Sequence, residues 1–262
     1  MSLIEKTALI TGSTSGIGLA IANALAADGA NIMLHGLGDK TQNQKLAKGL
    51  SDEHGVKAHY SDADISTAAQ TYQLVNDTKN IFGSVDILVN NAGIQRVHSA
   101  ESFPDEDWQA IINVNLSANF YAIKASLPLM REAGWGRIIN IASVHGLVGS
   151  AQKAAYVAAK HGVIGLNKVI ALETAEEAIT CNAICPGWTR TDLIEPQIAA
   201  RGAAIGATSD EQAVKALLQE KQPSCTMVQP ADIGGLALFL CSDAAAQMTG
   251  ASLPIDGGWT AQ

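Results

Sequence analysis

The chain has 262 residues, with 17 Lys plus Arg against 25 Asp plus Glu, for a formal charge of −8. Apolar residues make up 47% and charged residues only 16%, which excludes a disordered chain, and the acidic balance argues against a nucleic-acid partner. With no run of ~18 uninterrupted apolar residues, no basic-then-apolar leader in MSLIEKTALITGS and no CxxC pair among Cys181, Cys185, Cys225 and Cys241, the expectation is a cytoplasmic protein with no membrane span, free thiols and no metal site, folded as one domain over 1–262.

Short β-rich runs alternate with longer helical patterns. Residues 6–11 predict a first strand, and 16–28 a helix with Ile17, Ala20, Ile21, Ala24 and Leu25 on one face. A strand at 31–35, a helix at 40–54, a strand at 57–60, a helix at 67–82 and a strand at 86–90 follow. Residues 105–132 read as long and mostly helical, with Pro128 expected to kink the helix. A strand at 137–142, a helix at 152–176 and a strand at 180–184 come next, and a helix at 231–241 precedes a short strand at 252–255. The first, fourth and fifth runs are continuously apolar, as parallel strands covered on both faces are. Strand–helix alternation throughout predicts right-handed crossovers and an α/β, Rossmann-type, doubly wound parallel seven-stranded sheet with helices on both faces. Residues 188–230 break the rhythm, being Ala/Gln/Gly-rich with helical pieces. An insertion at the carboxyl end of a strand is where open sheets bind ligands, so 188–230 reads as a helical substrate lid. A merely decorative surface insertion is the bland alternative.

Thr11-Gly12-Ser13-Thr14-Ser15-Gly16-Ile17-Gly18 joins the first strand to the first helix. A dinucleotide site needs one glycine for the tight turn, one for close backbone approach to a pyrophosphate and one for helix–strand packing. The helix N-terminus then offers free N–H groups to the phosphates. The spacing is GxxxGxG, and the Gly-Lys-Ser/Thr of nucleotide hydrolases is absent.

Further features fall in order. Asn90-Asn91-Ala92-Gly93 ends the fourth strand, Asn115 lies in the long helix, Ser143 ends the fifth strand, and Tyr156 and Lys160 open the next helix. With the glycine loop and Pro186-Gly187, the set resembles the short-chain dehydrogenase/reductase family over essentially the whole chain. Tyr156 and Lys160 are four apart and share a helical face. A free tyrosine, with a pKa of ~10, is a poor base at neutral pH, and a neighbouring ammonium plus an oxidised nicotinamide would lower that value. Tyr156 is then the general base toward an alcohol and the general acid in ketone reduction, with Ser143 donating to the substrate oxygen. The resemblance implies that Lys160 also bonds the nicotinamide ribose and that Asn115 holds a water in a proton relay.

The resemblance also assigns cofactor contacts to Gly12, Thr14, Ser15, Gly16, Ile17 and Gly18 in the loop, and to Asn91 and Gly93. Beyond these it assigns Tyr156, Lys160, Pro186, Gly187 and Thr189. Asp64, followed by Ile65, matches the family's adenine-contacting acid. Many members carry an Asp after the second strand for the adenosine ribose, where this chain has Gly36 followed by Leu37. A 2′-phosphate would favour Arg or Lys there or before the second loop glycine, and those places hold Leu37 and Ser15. NAD is therefore the expected cofactor.

For the substrate, Gln95, His145, Lys153, Trp188 and Gln197 gather near these motifs in sequence. Each has a bland reading: a surface amide, a loop histidine, a solvated lysine, a packing tryptophan. Lys153 falls in the expected first turn of a helix, where the dipole disfavours a cation, and a bound anion would offset that. The set would make a locally cationic pocket of Lys153, His145 and Lys160 for a small carboxylate, with Trp188 as an apolar wall. It resembles the branch of the family that interconverts (R)-3-hydroxybutyrate and acetoacetate, in which matching Gln, His, Lys and Gln positions hold the carboxylate beside Ser143 and Tyr156. A ketoreductase for acyl thioesters or another secondary alcohol, and a non-catalytic dinucleotide-binding protein, are the alternatives. The resemblance further implies a homotetramer, with which Trp259 near the end is consistent, though a buried intramolecular tryptophan would look the same.

Overall fold

A computed structural model describes residues 2–261. Seven parallel strands form one sheet in the order β3-β2-β1-β4-β5-β6-β7. They are β1 Thr7–Ile10, β2 Asn31–His35, β3 Ala58–Ser61, β4 Ile87–Asn90, β5 Gly136–Ile141, β6 Ile179–Pro186 and β7 Ser252–Ile255. The order reverses direction between β1 and β4, and the crevice outside the carboxyl ends of these two strands is where such sheets take ligands.

The apolar strands are buried on both faces because successive side chains face opposite layers. Ala8 and Ile10 of β1 join one core with Ile21 and Leu25 of α1 (Gly16–Ala27), Leu50 of α2 (Lys40–His54) and Ile233 and Leu240 of α9 (Pro230–Cys241). Leu9 points the other way, with Leu74 of α3 (Ala68–Phe82), Ile123 and Met130 of α5 (Ala118–Ala133) and Ile170 of α6 (Ala154–Glu173). Local signals set the helix ends. Asp39 and Thr67 accept from the third backbone N–H beyond them, and Gly55 and Gly83 close α2 and α3 in left-handed geometry.

The long helix differs from its prediction. It divides into α4 (Asp105–Ile112), a π-helical turn at Asn113–Ser117, and α5. The expected interruption at Pro128 is not where the helix departs from regularity. Pro128 and Lys124 both face water, so the carbonyl that proline leaves without an N–H partner can be hydrated. The π turn instead swings Asn115 inward, where its amide donates to the Ile94 carbonyl and accepts from the Ile94 N–H, both at 2.9 Å. Helix α6 begins at Ala154, two residues later than predicted. Gln152 takes φ +63° and Lys153 takes φ −125°, ψ 34°, so Lys153 precedes the first turn rather than lying in it.

Residues 188–230 carry α7 (Glu195–Ile205) and α8 (Asp210–Gln219). Arg190 bridges their starts, 2.9 Å from Glu195 and 2.8 Å from Asp210, and Arg201 pairs with Glu220 at their far ends. Ile198, Leu217 and Leu218 pack with Val144, Trp188 and Trp259 into a separate apolar cluster over the carboxyl ends of the strands. All four cysteines are free thiols. Among the described residues no helix is long and apolar enough to cross a membrane, and no group of three His, Cys, Asp or Glu side chains could hold a metal ion.

Candidate active site

A cleft of about 570 Å³ runs along the carboxyl ends of the strands. It is lined at one end by the glycine loop and at the other by Ser143, Tyr156 and Lys153. The loop is built to approach a ligand by its backbone. Gly12 takes φ +62°, and a Cβ there would sit 2.8 Å from Ala92 Cα. Asn91 fastens β4 to this loop by donating to the carbonyls of Thr11 and Gly12 at 2.9 and 2.8 Å, while Thr11 Oγ1 accepts from the Asn91 and Ala92 N–H groups. Ser15 makes no side-chain cap on α1, and the first turn holds no acid. The N–H groups of that turn are thereby left to an anion, which fits a cofactor diphosphate.

Of the residues expected at the cofactor, all but Gly18 line this cleft. Gly18 is buried beneath it, where a side chain would strike Asn91 Nδ2 and Ser13 Cα, so its part is the close packing of helix on strand. Gly36 is free of a side chain for a local reason: its Cβ would stand 2.6 Å from Thr14 Oγ1. Leu37 is 67% exposed. Lys40, the cation nearest to this end in sequence, is paired with Asp62 at 3.1 Å. Asp64 and Ile65 line the same end, with Asp64 accepting from the Ser66 N–H.

At the other end, Ser143 follows β5, and its Oγ accepts from the His145 N–H at 3.1 Å. Tyr156 and Lys160 face the cleft from α6. The expected lowering of the Tyr156 pKa rests on Lys160 together with an oxidised nicotinamide, and the protein's own groups act in the other direction. Burial pushes the phenol up to about 12 against the pull of a hydrogen bond with Ser143. Lys160 lies 5.7 Å from the ring and gives its ammonium to the Ile141 carbonyl at 2.7 Å, and burial lowers it to about 8. Asn115 does not line the cleft, because both atoms of its side-chain amide are engaged by the Ile94 backbone.

The five residues singled out for the substrate come together although they span more than a hundred positions. Lys153 Nζ donates to Gln197 Oε1 at 2.7 Å, and Gln197 Nε2 donates to Gln95 Oε1 at 3.5 Å. Lys153 Nζ also lies 5.2 Å over the Trp188 ring. Gln95 Nε2 and Trp188 Nε1 are buried without a partner, although buried donors are normally satisfied. Gln95, Lys153 and Trp188 line the cleft together, and the Lys153 ammonium keeps donors beyond its bond to Gln197 that an acceptor-only carboxylate could take. His145 departs from the cationic pocket expected. Burial, then Lys153, hold it at about 3, so it is a neutral ring at neutral pH. Burial also lowers Lys153 to about 8, leaving it charged below that value.

Several cleft residues were not singled out by the sequence reading as cleft residues. Trp259 comes from the C-terminal turn and stacks edge-on to His145 at 5.4 Å and against Trp188 at 5.4 Å. It is buried within its own chain, so it gives no support to an intersubunit contact. Val144, Thr191 and Ile194 complete the wall, and His35 lies behind the glycine loop. The neighbouring motifs could have pointed to Val144 and Thr191. Nothing in the sequence ties the C-terminal tryptophan to a loop more than a hundred residues earlier.

Comparison with known proteins agrees with this geometry. Residues 6–202 match the short chain dehydrogenase family. The chain is 52% identical over 257 residues to a D-beta-hydroxybutyrate dehydrogenase of Cupriavidus necator, covering 98% of both chains. It is 49% identical over 263 residues to one of Rhizobium meliloti, covering 99% of this chain and 100% of the relative. A crystal structure from Sinorhizobium meliloti 1021, assigned to the short-chain alcohol dehydrogenases, superposes with a TM-score of 0.87 at 32% identity, covering 100% of this chain and 98% of that one. With its strand order, glycine loop and Ser143–Tyr156–Lys160 cluster, the chain belongs to the short-chain dehydrogenase family of nicotinamide-dependent oxidoreductases.

Proposed function

We propose that the protein interconverts (R)-3-hydroxybutyrate and acetoacetate with NAD. The observation that carries this reading is Lys153, which lines the cleft with Gln95, Trp188, Ser143 and Tyr156 and is tied through Gln197 to Gln95. It provides a carboxylate site next to a general acid. The names borne by the relatives from Cupriavidus and Rhizobium support the same substrate.

The bound cofactor supplies the hydride acceptor or donor. It would be held by Gly12, Thr14, Ser15, Gly16 and Ile17 at the diphosphate, Asp64 and Ile65 at the adenine, and Asn91, Gly93, Pro186, Gly187 and Thr189 toward the nicotinamide. Ser143 and Tyr156 bind the substrate oxygen. In reduction Tyr156 delivers its phenolic proton to that oxygen, and in oxidation it takes the hydroxyl proton, so the alcohol loses a hydride and a proton in all. Lys160 provides positive charge near the phenol, and Trp188, Trp259 and the neutral His145 ring exclude water from the reacting carbon.

NAD is preferred over its phosphorylated form because Lys40 is already paired with Asp62, and Asp39, Asp62 and Asp64 give this end an acidic surround. Residues 188–230 act as a lid that carries Gln197 to the substrate, within a single domain spanning 1–262. We further assign a homotetramer, and a reducing, cytoplasmic setting that suits the four free thiols. A panel of 3-hydroxy acids and acyl thioesters, each with NAD and NADP, tests the reading. Turnover of (R)-3-hydroxybutyrate with NAD is expected to dominate, and preferential turnover of thioesters would overturn it. A mass in solution of four chains is expected, and a monomer mass would remove the tetramer.

A further inference from the structure

We infer that His35 is a positioning residue for the cofactor: its neutral imidazole ties the Gly12 amide to the Ala63 carbonyl and so holds the glycine loop open for the diphosphate. The inference rests on the nicotinamide cofactor assigned to the cleft. His35 ends β2, is only 3% exposed and borders the cleft. The Gly12 N–H donates to His35 Nδ1 at 3.1 Å, and the opposite ring nitrogen, Nε2, lies 2.8 Å from the Ala63 carbonyl oxygen. A carbonyl only accepts, so Nε2 carries the hydrogen and Nδ1 is left as the acceptor that Gly12 requires.

The His35 backbone joins the same structure. Its N–H donates to Ser13 Oγ at 3.0 Å, its carbonyl accepts from the Ser13 N–H at 2.7 Å, and Ser13 Oγ donates to the Ile10 carbonyl at 2.7 Å. Gly12 is thus gripped on both sides, at its N–H by His35 and at its carbonyl by Asn91. This peptide sits at the left-handed turn whose shape decides where the following N–H groups point.

A doubly protonated ring would turn an N–H toward the Gly12 N–H and break the grip. Burial lowers the His35 pKa and keeps the ring neutral, opposed by the Ala63 carbonyl and by Asp64 and Asp62 on the loop after β3. Of the other neighbours, the glycine loop presents the uncharged Ser13 and Thr14, α2 presents Lys40 already paired with Asp62, and Tyr60 of β3 donates to the Gly36 carbonyl at 2.7 Å.

Side-chain geometry separates the two bonds. In His35→Asn the amide oxygen stands near the place of Nδ1 and keeps the Gly12 bond. In His35→Gln the amide nitrogen reaches the place of Nε2 and keeps only the Ala63 bond. Titration calorimetry of NADH into each purified protein is expected to give affinity within about threefold of wild type for His35→Asn and a loss of about tenfold or more for His35→Gln. The KM for NAD should follow the same order, with kcat at saturating cofactor nearly constant. Because burial lowers the His35 pKa, wild-type NADH affinity should hold through the ordinary histidine range and fall only at more acid pH, while His35→Asn stays flat. Equal affinities for the two variants, or the same pH profile for wild type and His35→Asn, would overturn the assignment. Failure of wild type itself to bind NADH would instead remove the cofactor reading on which it stands.

Discussion

Replacing Lys153 by Met tests the carboxylate site most directly. Methionine keeps the length and the apolar stem over Trp188 and removes only the ammonium, which lies 2.7 Å from Gln197 Oε1 at a side chain 7% exposed. Truncating one partner of a desolvated charge pair costs about 2–5 kcal/mol. Lys153 lines an open cleft rather than a sealed interior, so the low end applies: about 2–3 kcal/mol, or a rise of about 30- to 150-fold in KM for the acid. The kcat value should fall much less, because the reacting oxygen is handled by Ser143 and Tyr156. The pH profile gives a second reading. Lys153 is charged below about 8 and neutral above it, so wild-type kcat/KM for acetoacetate should decline above that pH. Lys160 is also held at about 8, so Lys153→Met should retain a shallower decline rather than none. Burial lowers the folded-state pKa of Lys153 below its unfolded value, so the ammonium opposes folding at neutral pH, and Met should leave the melting temperature unchanged or raised. Steady-state kinetics by NADH absorbance measures the KM, kcat and pH effects, and thermal unfolding measures the stability. An unchanged KM for the acid, or a loss confined to kcat, would refute the carboxylate site.

Tyr156→Phe should lower kcat by about 10²- to 10⁴-fold in both directions while NADH affinity, read by calorimetry, changes little; retained turnover would remove Tyr156 as the acid. Gly36→Asp, which restores an acid at the ribose position, should weaken NAD binding, because the new Cβ meets Thr14 Oγ1 at 2.6 Å. Adding Thr14→Ala should recover the loss, and tighter binding by Gly36→Asp alone would contradict the steric reading. Trp259→Leu removes the ring packed on Trp188 and His145. It should lower stability to urea by about 1–3 kcal/mol and raise KM for the acid, whereas an unaltered KM would place Trp259 outside the substrate wall.

The sheet was legible because each apolar run is short and faces two layers at once: Ala8 and Ile10 need one core and Leu9 the other, and only a covered parallel strand satisfies both. The Ser143, Tyr156 and Lys160 positions were legible because they lie at fixed places relative to strand ends and one helix. What the sequence concealed depends on burial and on distant partners. Tyr156 and Lys160 share a face, as i and i+4 residues do, but no spacing shows that the ammonium turns to the Ile141 carbonyl or that the phenol is sealed from water. Asn115, singled out for a proton relay, falls in what reads as a continuous helix because a π turn has no composition signature. Its cause, the amide bonded to Ile94, lies 21 positions away. His35 ends the strand at 31–35 with no motif around it, and its partners Gly12 and Ala63 are 23 and 28 positions distant.

The chemistry of the cleft is governed by desolvation rather than by the acidic balance of the whole chain. His35, His145, Lys153 and Lys160 all face the cleft, and burial is the first cause that lowers the pKa of each. The two lysines, lowered to about 8, remain charged at neutral pH, while the His145 ring, lowered to about 3, is neutral there. An incoming carboxylate restores what burial removed from Lys153, and its binding therefore takes up protons near pH 8. A thioester presents only neutral acceptors at that place. It would bury the Lys153 ammonium without a counter-charge and leave the desolvation uncompensated. On the proposed carboxylate site, selectivity for a free acid over a thioester of the same carbon skeleton would follow from where Lys153 is buried, and the −8 charge of the chain, screened within about 10 Å in salt, would have little influence on it.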